Sequence, residues 1–470
     1  MAIVLKNGTV VSAKGEIKAD VRFEGEKILD VGQNLAQTGD EVIDVSGKYI
    51  FPGGIDVHTH LDLDVGFTVT ADDFSSGTKA ALAGGTTTII DFVNHIRGTT
   101  FSECVKHYHG LADGKCFCDW GFHLGVSDWN PERSAELEKM VKEEGITTFK
   151  MYMAYKGTMQ VTDEQIEGAL RRAKELGVLF LFHCENGDMV VDNVQRLISE
   201  GKTEPKWHPV SRDADVELDA VRRLIDISDK VDYPVYIVHL SSKKAMLEVR
   251  KRRQAGSKVL CETCPQYLVL DDSLYEGTTE DSFAGGKYVL SPPLRKKEDN
   301  EELLAALAAG EIQTVATDHC SFNYKGQKDM GRDNFSKIPN GGPGIEHRLQ
   351  VLWECGVEKG LFSAPRFAEL TAEMPARIFG LFPQKGIIAK GSDADFFIAD
   401  FSPVTITAAK QFQNVDYTPY EGMTSHLNVL SVFVRGKKIF ENGKFRSDKP
   451  EGKFLHRLTY CDGKKGGNLP

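Results

Sequence analysis

Two histidines separated by one residue follow an apolar run. The chain reads Tyr49-Ile50-Phe51, then Pro52-Gly53-Gly54, then Ile55-Asp56-Val57-His58-Thr59-His60. Side chains alternate faces along a strand, so His58 and His60 project to one side. Two imidazoles side by side at a strand end can hold one divalent ion. Alone, the pair reads equally well as two polar residues leaving a strand. The rest of the chain shifts the balance, because ligand-type residues recur where apolar runs stop. Phe180-Leu181-Phe182 ends in His183, Val235-Tyr236-Ile237-Val238 in His239, and Val315-Ala316-Thr317 in Asp318. One histidine closing one strand is ordinarily a hydrogen-bonded core residue. Four histidines and an aspartate gathered on one rim would leave many buried polar groups without partners, and a metal centre satisfies them all.

Lys150 stands among apolar neighbours in Phe149-Lys150-Met151-Tyr152. An ammonium is costly to bury there unless paired, and among four metal-binding imidazoles it would repel the ions. Carboxylated by CO2, Lys150 becomes an anionic carbamate whose two oxygens can bridge two metals. Neutral imidazoles and carboxylates suit Zn2+, and a two-ion clamp lets a bridging water ionise near neutral pH. If Lys150 is carboxylated, four histidines, one aspartate and one bridging carbamate are enough for a two-metal site; a snorkelling or salt-bridged lysine is the other reading.

Elements that would position these residues are readable as alternating short apolar runs and longer helical segments. The runs are 50–58, 86–92, 120–126, 147–153, 178–183, 235–239, 259–264 and 314–318, with helical character at 73–83, 131–144, 162–176, 213–227, 243–254 and 301–308. Eight such units predict an α/β fold, a (β/α)8 TIM barrel, whose active residues sit at the C-terminal strand ends. An open doubly wound sheet would carry a Gly-rich phosphate loop after an early strand. Gly84-Gly85 precedes its strand instead. Both chain ends are β-rich, with Asn7-Gly8, Glu24-Gly25, Arg435-Gly436 and Asn442-Gly443 as turn signals. They predict one small β-sandwich domain built from residues 1–52 and 376–455 around a barrel at 53–375. Residues 456–470 read as a C-terminal tail, loose or reaching a neighbouring subunit.

The 470 residues are 41% hydrophobic and 27% charged, ordinary for a globular chain, and carry a formal net charge of -11. That charge argues against nucleic acid or anionic membrane as the main partner. The short apolar N-terminus and the lack of a run of about 20 apolar residues predict neither signal peptide nor membrane span, hence a cytoplasmic protein. Nine scattered cysteines fit reduced thiols. Cys116-x-Cys118 and Cys261-x-x-Cys264 have metal-pair spacing but lie inside strand-like runs.

The motifs Gly54 to His60, Phe149-Lys150, His183-Cys184-Glu185-Asn186, His239-Leu240-Ser241, Glu262-Thr263-Cys264-Pro265, Ser291-Pro292-Pro293-Leu294-Arg295 and Asp318-His319-Cys320, taken jointly, are highly specific. The chain resembles the hydantoinase/dihydropyrimidinase family, in the cyclic-amidohydrolase branch of the amidohydrolase superfamily, over nearly its full length. The resemblance implies two Zn2+ per chain, one held by His58, His60 and Asp318 and the other by His183 and His239, bridged by carboxylated Lys150 (N6-carboxylysine) and hydroxide. It implies a bridging hydroxide as nucleophile on a ring amide, Asp318 as general base then acid, and Tyr155 as oxyanion donor. It places Ser291 and Asn340 where the main chain reads the ring, and Leu63, Val65 and Phe67 around its exocyclic substituent. It further implies a small cyclic ureide or imide substrate and a homotetramer. The alternatives are allantoinase, dihydroorotase, a mononuclear deaminase-like relative and a non-catalytic scaffold. Dihydroorotases place an arginine where this chain has Asp62, and scaffold relatives have lost ligands that this chain keeps. Alternation should face His319 away from the metals.

Overall fold

The computed structural model describes residues 1–464. Eight parallel strands lie side by side in chain order: β1 (Gly54–Thr59), β2 (Thr86–Val93), β3 (Asp119–Gly125), β4 (Thr148–Tyr152), β5 (Leu179–His183), β6 (Val235–Ile237), β7 (Val259–Thr263) and β8 (Thr314–Val315). The sheet closes where Thr59 bridges His319 and the His60 N–H donates to the His319 carbonyl at 2.8 Å. It is a (β/α)8 barrel.

Strand alternation sorts its side chains into two cores. Leu179, Leu181, Val57, Ile90, Tyr236 and Leu260 fill the interior. Phe180, Phe182, Phe149, Met151 and Ile237 pack outward under the helices. Because Phe149 and Met151 face out, Lys150 faces in; because Leu260 faces in, so does Glu262. The helices start on side-chain caps that satisfy their first free N–H groups. Asp73 caps Phe74–Ala83 and Thr162 caps Asp163–Leu176, each as a reciprocal capping box.

Both chain ends build a second, nine-stranded mixed sheet. Tyr49–Pro52 joins its halves, pairing antiparallel with Phe396–Asp400 and parallel with Ile3–Ser12. Phe23, Phe396 and Phe433 meet edge-on or tilted in its core.

Several local expectations are corrected. The run 50–58 is two strands: Tyr49–Pro52 belongs to the outer sheet, and β1 begins only at Gly54. Between them Gly53 lies so close to Thr87 that any side chain would clash. Asn7-Gly8 is a bulge inside one continuous strand, with Asn7 at φ 66°, because both flanks keep pairing with Gly15–Glu24. Helices Phe101–Ala112 and Gly187–Ser199 lie in segments to which no element had been assigned. The tail is not loose over 453–462. Leu455 N donates to Trp120 O, Arg457 N to Gly145 O, Leu458 N to Gly380 O and Cys461 N to Gly177 O, which straps it across the N-terminal end of the barrel. Residues 465–470 of the expected subunit arm lie outside the described residues. No helix among the described residues is long and apolar enough to cross a membrane.

Candidate metal centre and active site

The C-terminal strand ends deliver their ligand-type residues to one point. His58 comes from β1, Lys150 from β4 and His183 from β5. His60, His239 and Asp318 come from just past the ends of β1, β6 and β8. His239 and Asp318 are not strand residues, as had been expected, but sit in left-handed turns at φ 39° and 53°. Such backbone is uncommon outside glycine and is tolerated best by Asn, Asp and His. The turns aim both side chains back over the barrel mouth.

Asp318 Oδ1 lies 3.1 Å from His58 Nε2 and 3.2 Å from His60 Nε2. His183 Nδ1 lies 2.9 Å from His239 Nε2. Donor atoms of His58, His239 and Asp318 fall within 4.8 Å of one another. Lys150 Nζ stands between, 2.9 Å from His58 Nε2 and 4.2 Å above the Phe92 ring. Burial pushes its amine down to about 8. All these groups are buried or nearly so.

Two carboxylates behind the histidines decide how the imidazoles are protonated. Glu262 Oε1 lies 2.6 Å from His58 Nδ1, and Glu185 Oε2 lies 2.7 Å from His183 Nε2. A carboxylate accepts, so each outer nitrogen carries the N–H and each inner nitrogen turns a lone pair to the centre. Burial opposes the charge on Glu185, but Arg212, at 2.6 Å, and His183 hold it down to about 2. Glu262 also accepts from the His239 N–H at 3.1 Å and the Tyr236 hydroxyl at 3.0 Å. Burial lowers His60 to about 4 and keeps His183 and His239 neutral. Against its own burial, Asp318 is held well below the usual carboxylate range by His58 and His60. Burial and Lys150 oppose the charge on His58, but Asp318 and Glu262 outweigh them and raise it. Four imidazoles, an ionised aspartate and a lysine with a lowered pKa form a donor set that fits divalent metal.

A cavity of about 850 Å³ opens above this point. Its walls include Leu63, Val65 and Phe67 on one loop, Tyr155 beside His183, and Ser291 with Ile338–Gly341 opposite. Thus the twelve site residues expected from sequence all border the cavity or lie directly beneath it. Leu63 is buried, whereas Phe67 is 56% exposed at the rim. Tyr155 is at φ 66°, its ring 5.1 Å from the His183 ring and 5.7 Å from the Arg212 guanidinium. Burial pushes its phenol above the ordinary range, so it stays a donor. Asn340 Oδ1 is buried without a partner.

His319 turns outward, 3.1 Å from Asp72. Asp62 caps the Phe74 N–H at 2.9 Å. Cys116, Cys118, Cys261 and Cys264 are free, buried thiols and join no ligand cluster among the described residues. A second carboxylate cluster, Asp119, Asp393 and Asp395, surrounds the Lys385 ammonium at 2.6, 3.0 and 2.5 Å, and Arg435 on Asp119 and Lys27 on Asp393 supply further positive charge. Sequence reasoning gave Glu185 and Glu262 no role. The signal was present: a carboxylate in the apolar run Val259-Leu260-Cys261-Glu262 is the same oddity that marked Lys150.

Residues 49–439 match the amidohydrolase family. The chain is 43% identical to the D-hydantoinase of Geobacillus stearothermophilus over 463 residues, covering 98% of this chain and 97% of that one. It is 40% identical to the D-phenylhydantoinase of Escherichia coli O7:K1 over 464 residues, covering 98% and 99%. The dihydropyrimidinase structure from Brevibacillus agri NCHU1002 superimposes with a TM-score of 0.96 at 44% identity, covering 98% and 99%. The L-hydantoinase of Arthrobacter aurescens superimposes with 0.87 at 26% identity, covering 97% and 99%. The barrel, its rim of inward-facing donors and these likenesses over nearly the whole length agree: the chain belongs to the amidohydrolase family, in its hydantoinase/dihydropyrimidinase branch of cyclic amide hydrolases.

Proposed function

We propose that this chain opens 5-substituted hydantoins to N-carbamoyl amino acids, or 5,6-dihydropyrimidines to N-carbamoyl β-amino acids, with two zinc ions per chain. The observation that carries the proposal is Lys150, buried amid four imidazoles and Asp318 with a lowered pKa. A neutral amine is the form that adds CO2, and an N6-carboxylysine at this point would turn a repelling cation into a bridging anion. His58, His60 and Asp318 would hold one ion and His183 and His239 the other, with Lys150 shared. When bound, the metal pair supplies Lewis-acid polarisation and a water that ionises near neutral pH.

The chain's own residues do the rest. The Asp318 carboxylate takes the proton of the attacking water and returns it to the departing ring nitrogen. The Tyr155 hydroxyl donates to the oxygen on which negative charge develops. Main chain at Ser291 and Asn340 holds the amide and ureide edges of the ring. Leu63, Val65 and Phe67 exclude water around an apolar exocyclic group. The bulk of the molecule divides as a barrel at 53–375 and a terminal β-domain from 1–52 and 376–455. The assembly is a cytoplasmic homotetramer.

The test is a substrate panel on zinc-analysed protein: dihydrouracil, hydantoin, phenylhydantoin, allantoin and dihydroorotate at equal concentration. Fastest turnover of one of the first three, with two zinc ions per chain, is expected. Faster turnover of allantoin or dihydroorotate overturns the substrate assignment. Light scattering should give four times the mass of one chain.

A further inference from the structure

Lys328 is fully buried, and among the described residues no carboxylate balances it. Its Nζ instead donates to three main-chain carbonyls: Val289 at 2.7 Å, Pro339 at 2.7 Å and Gly341 at 2.6 Å. Three acceptors at such distances need three donors. Burial pushes the Lys328 pKa down to about 7, but an ammonium has three donors and a neutral amine only two, so the cage of carbonyls favours the charged form against that burial. Those carbonyls belong to two adjoining chain segments, 289–291 and 339–341, of which Ser291 and Pro339, Asn340 and Gly341 line the cavity. They share one further link, the Gly341 N–H donating to Val289 O at 3.1 Å. The second segment is also tied to the metal rim, because Cys320 N donates to Gly342 O at 3.1 Å two residues after Asp318.

We infer that Lys328 is a positioning residue for substrate: its ammonium, bonded at once to Val289, Pro339 and Gly341, fixes the spacing of the two segments that present Ser291 and Asn340 to the ring. This rests on the reading that main chain at Ser291 and Asn340 contacts the ring. Without the cation, three carbonyl dipoles would converge on an empty point and the segments would move apart. Lys328 touches neither the cavity nor the metal donors, so its effect must pass through the loops.

The test uses the full-length, zinc-loaded enzyme, the preferred ring of the panel, and the same ring methylated at the nitrogen whose N–H the main chain would receive. The wild type should favour the unmethylated ring by about tenfold or more in kcat/KM. In Lys328→Met that preference should shrink to about twofold or less, through KM, with zinc still at two per chain. Equal losses on both rings, with the preference kept, would mean a merely structural lysine and overturn the inference. If Lys328→Met does not fold, Lys328→Gln, with two donors, should give an intermediate preference; an unchanged preference there overturns it equally. A wild type that does not discriminate the two rings refutes the underlying contact and the inference with it, and that result needs no variant.

Discussion

At the scale of single residues, the proposed mechanism depends on Lys150 being the wrong charge for its place until it is carboxylated. Lys150→Ala should therefore lower zinc from two ions per chain to one or fewer and cut kcat by at least about 10³-fold, since the two-ion clamp is lost. Short carboxylic acids in solution should restore part of both, measured by metal analysis and turnover. Apoprotein given zinc in CO2-depleted buffer should recover little activity, and bicarbonate should restart recovery. Behind the donors, Glu262→Gln keeps the size of the side chain but lets its carboxamide present an N–H toward His58. Zinc affinity should fall about 10- to 100-fold by competition with a chelator, with the fold intact. The histidines and Asp318 were legible because they sit where apolar runs stop, and Lys150 because it interrupts one. Glu185 and Glu262 were harder to read, because a residue that orients a ligand shows its purpose only when its partner from a distant strand is beside it, as Glu262 is beside His58.

At the scale of elements, hydrophobic runs located all eight strands, since strands buried on both faces are nearly continuous in apolar residues. Their ends were less legible. β6 stops at Ile237 and β8 at Val315, before the ligands they were expected to carry. A positive φ at His239 or Asp318 leaves no mark in composition, because neither residue is a glycine. The split of 50–58 at Gly53 was hidden for the reverse reason: both halves are apolar, and only the pairing partners differ. A related close approach occurs at Gly341, at φ 146°, where an added Cβ would strike the Cys320 carbonyl. Gly341→Ala should cost about 1–3 kcal/mol in denaturant unfolding, from strain that no rotamer relieves. KM should rise with it, because the displaced carbonyl belongs to the cavity wall.

At the scale of the whole molecule, the two chain ends hold the barrel from outside its chemistry. The outer sheet is fastened by Lys385, set among Asp119 of β3 and Asp393 and Asp395 of the C-terminal segment. The strap is fastened by Arg457, which is buried and donates to the Phe122 carbonyl and to Thr148 Oγ1 at 2.8 Å. Arg457→Met should lower stability by about 2–4 kcal/mol, because two buried acceptors lose a charged donor, while kcat/KM at low temperature stays within about twofold. Thermal unfolding and steady-state assay separate the two effects. The merging of both termini into one sheet was legible from their shared β character. The strap was not, since its few apolar residues, Phe454, Leu455 and Tyr460, follow no period and meet partners more than 70 positions away.

That strap has a consequence for how the protein is born. Every stave of the barrel leaves the ribosome before Leu455 and Tyr460 do, so the nascent cylinder stands with its floor unsealed, and the interior cluster that includes Leu179, Tyr236 and Phe379 lacks its last two members. Translation arrested between residues 320 and 453 should leave a species that proteases cut and chaperones retain, although all the candidate metal donors have already been made.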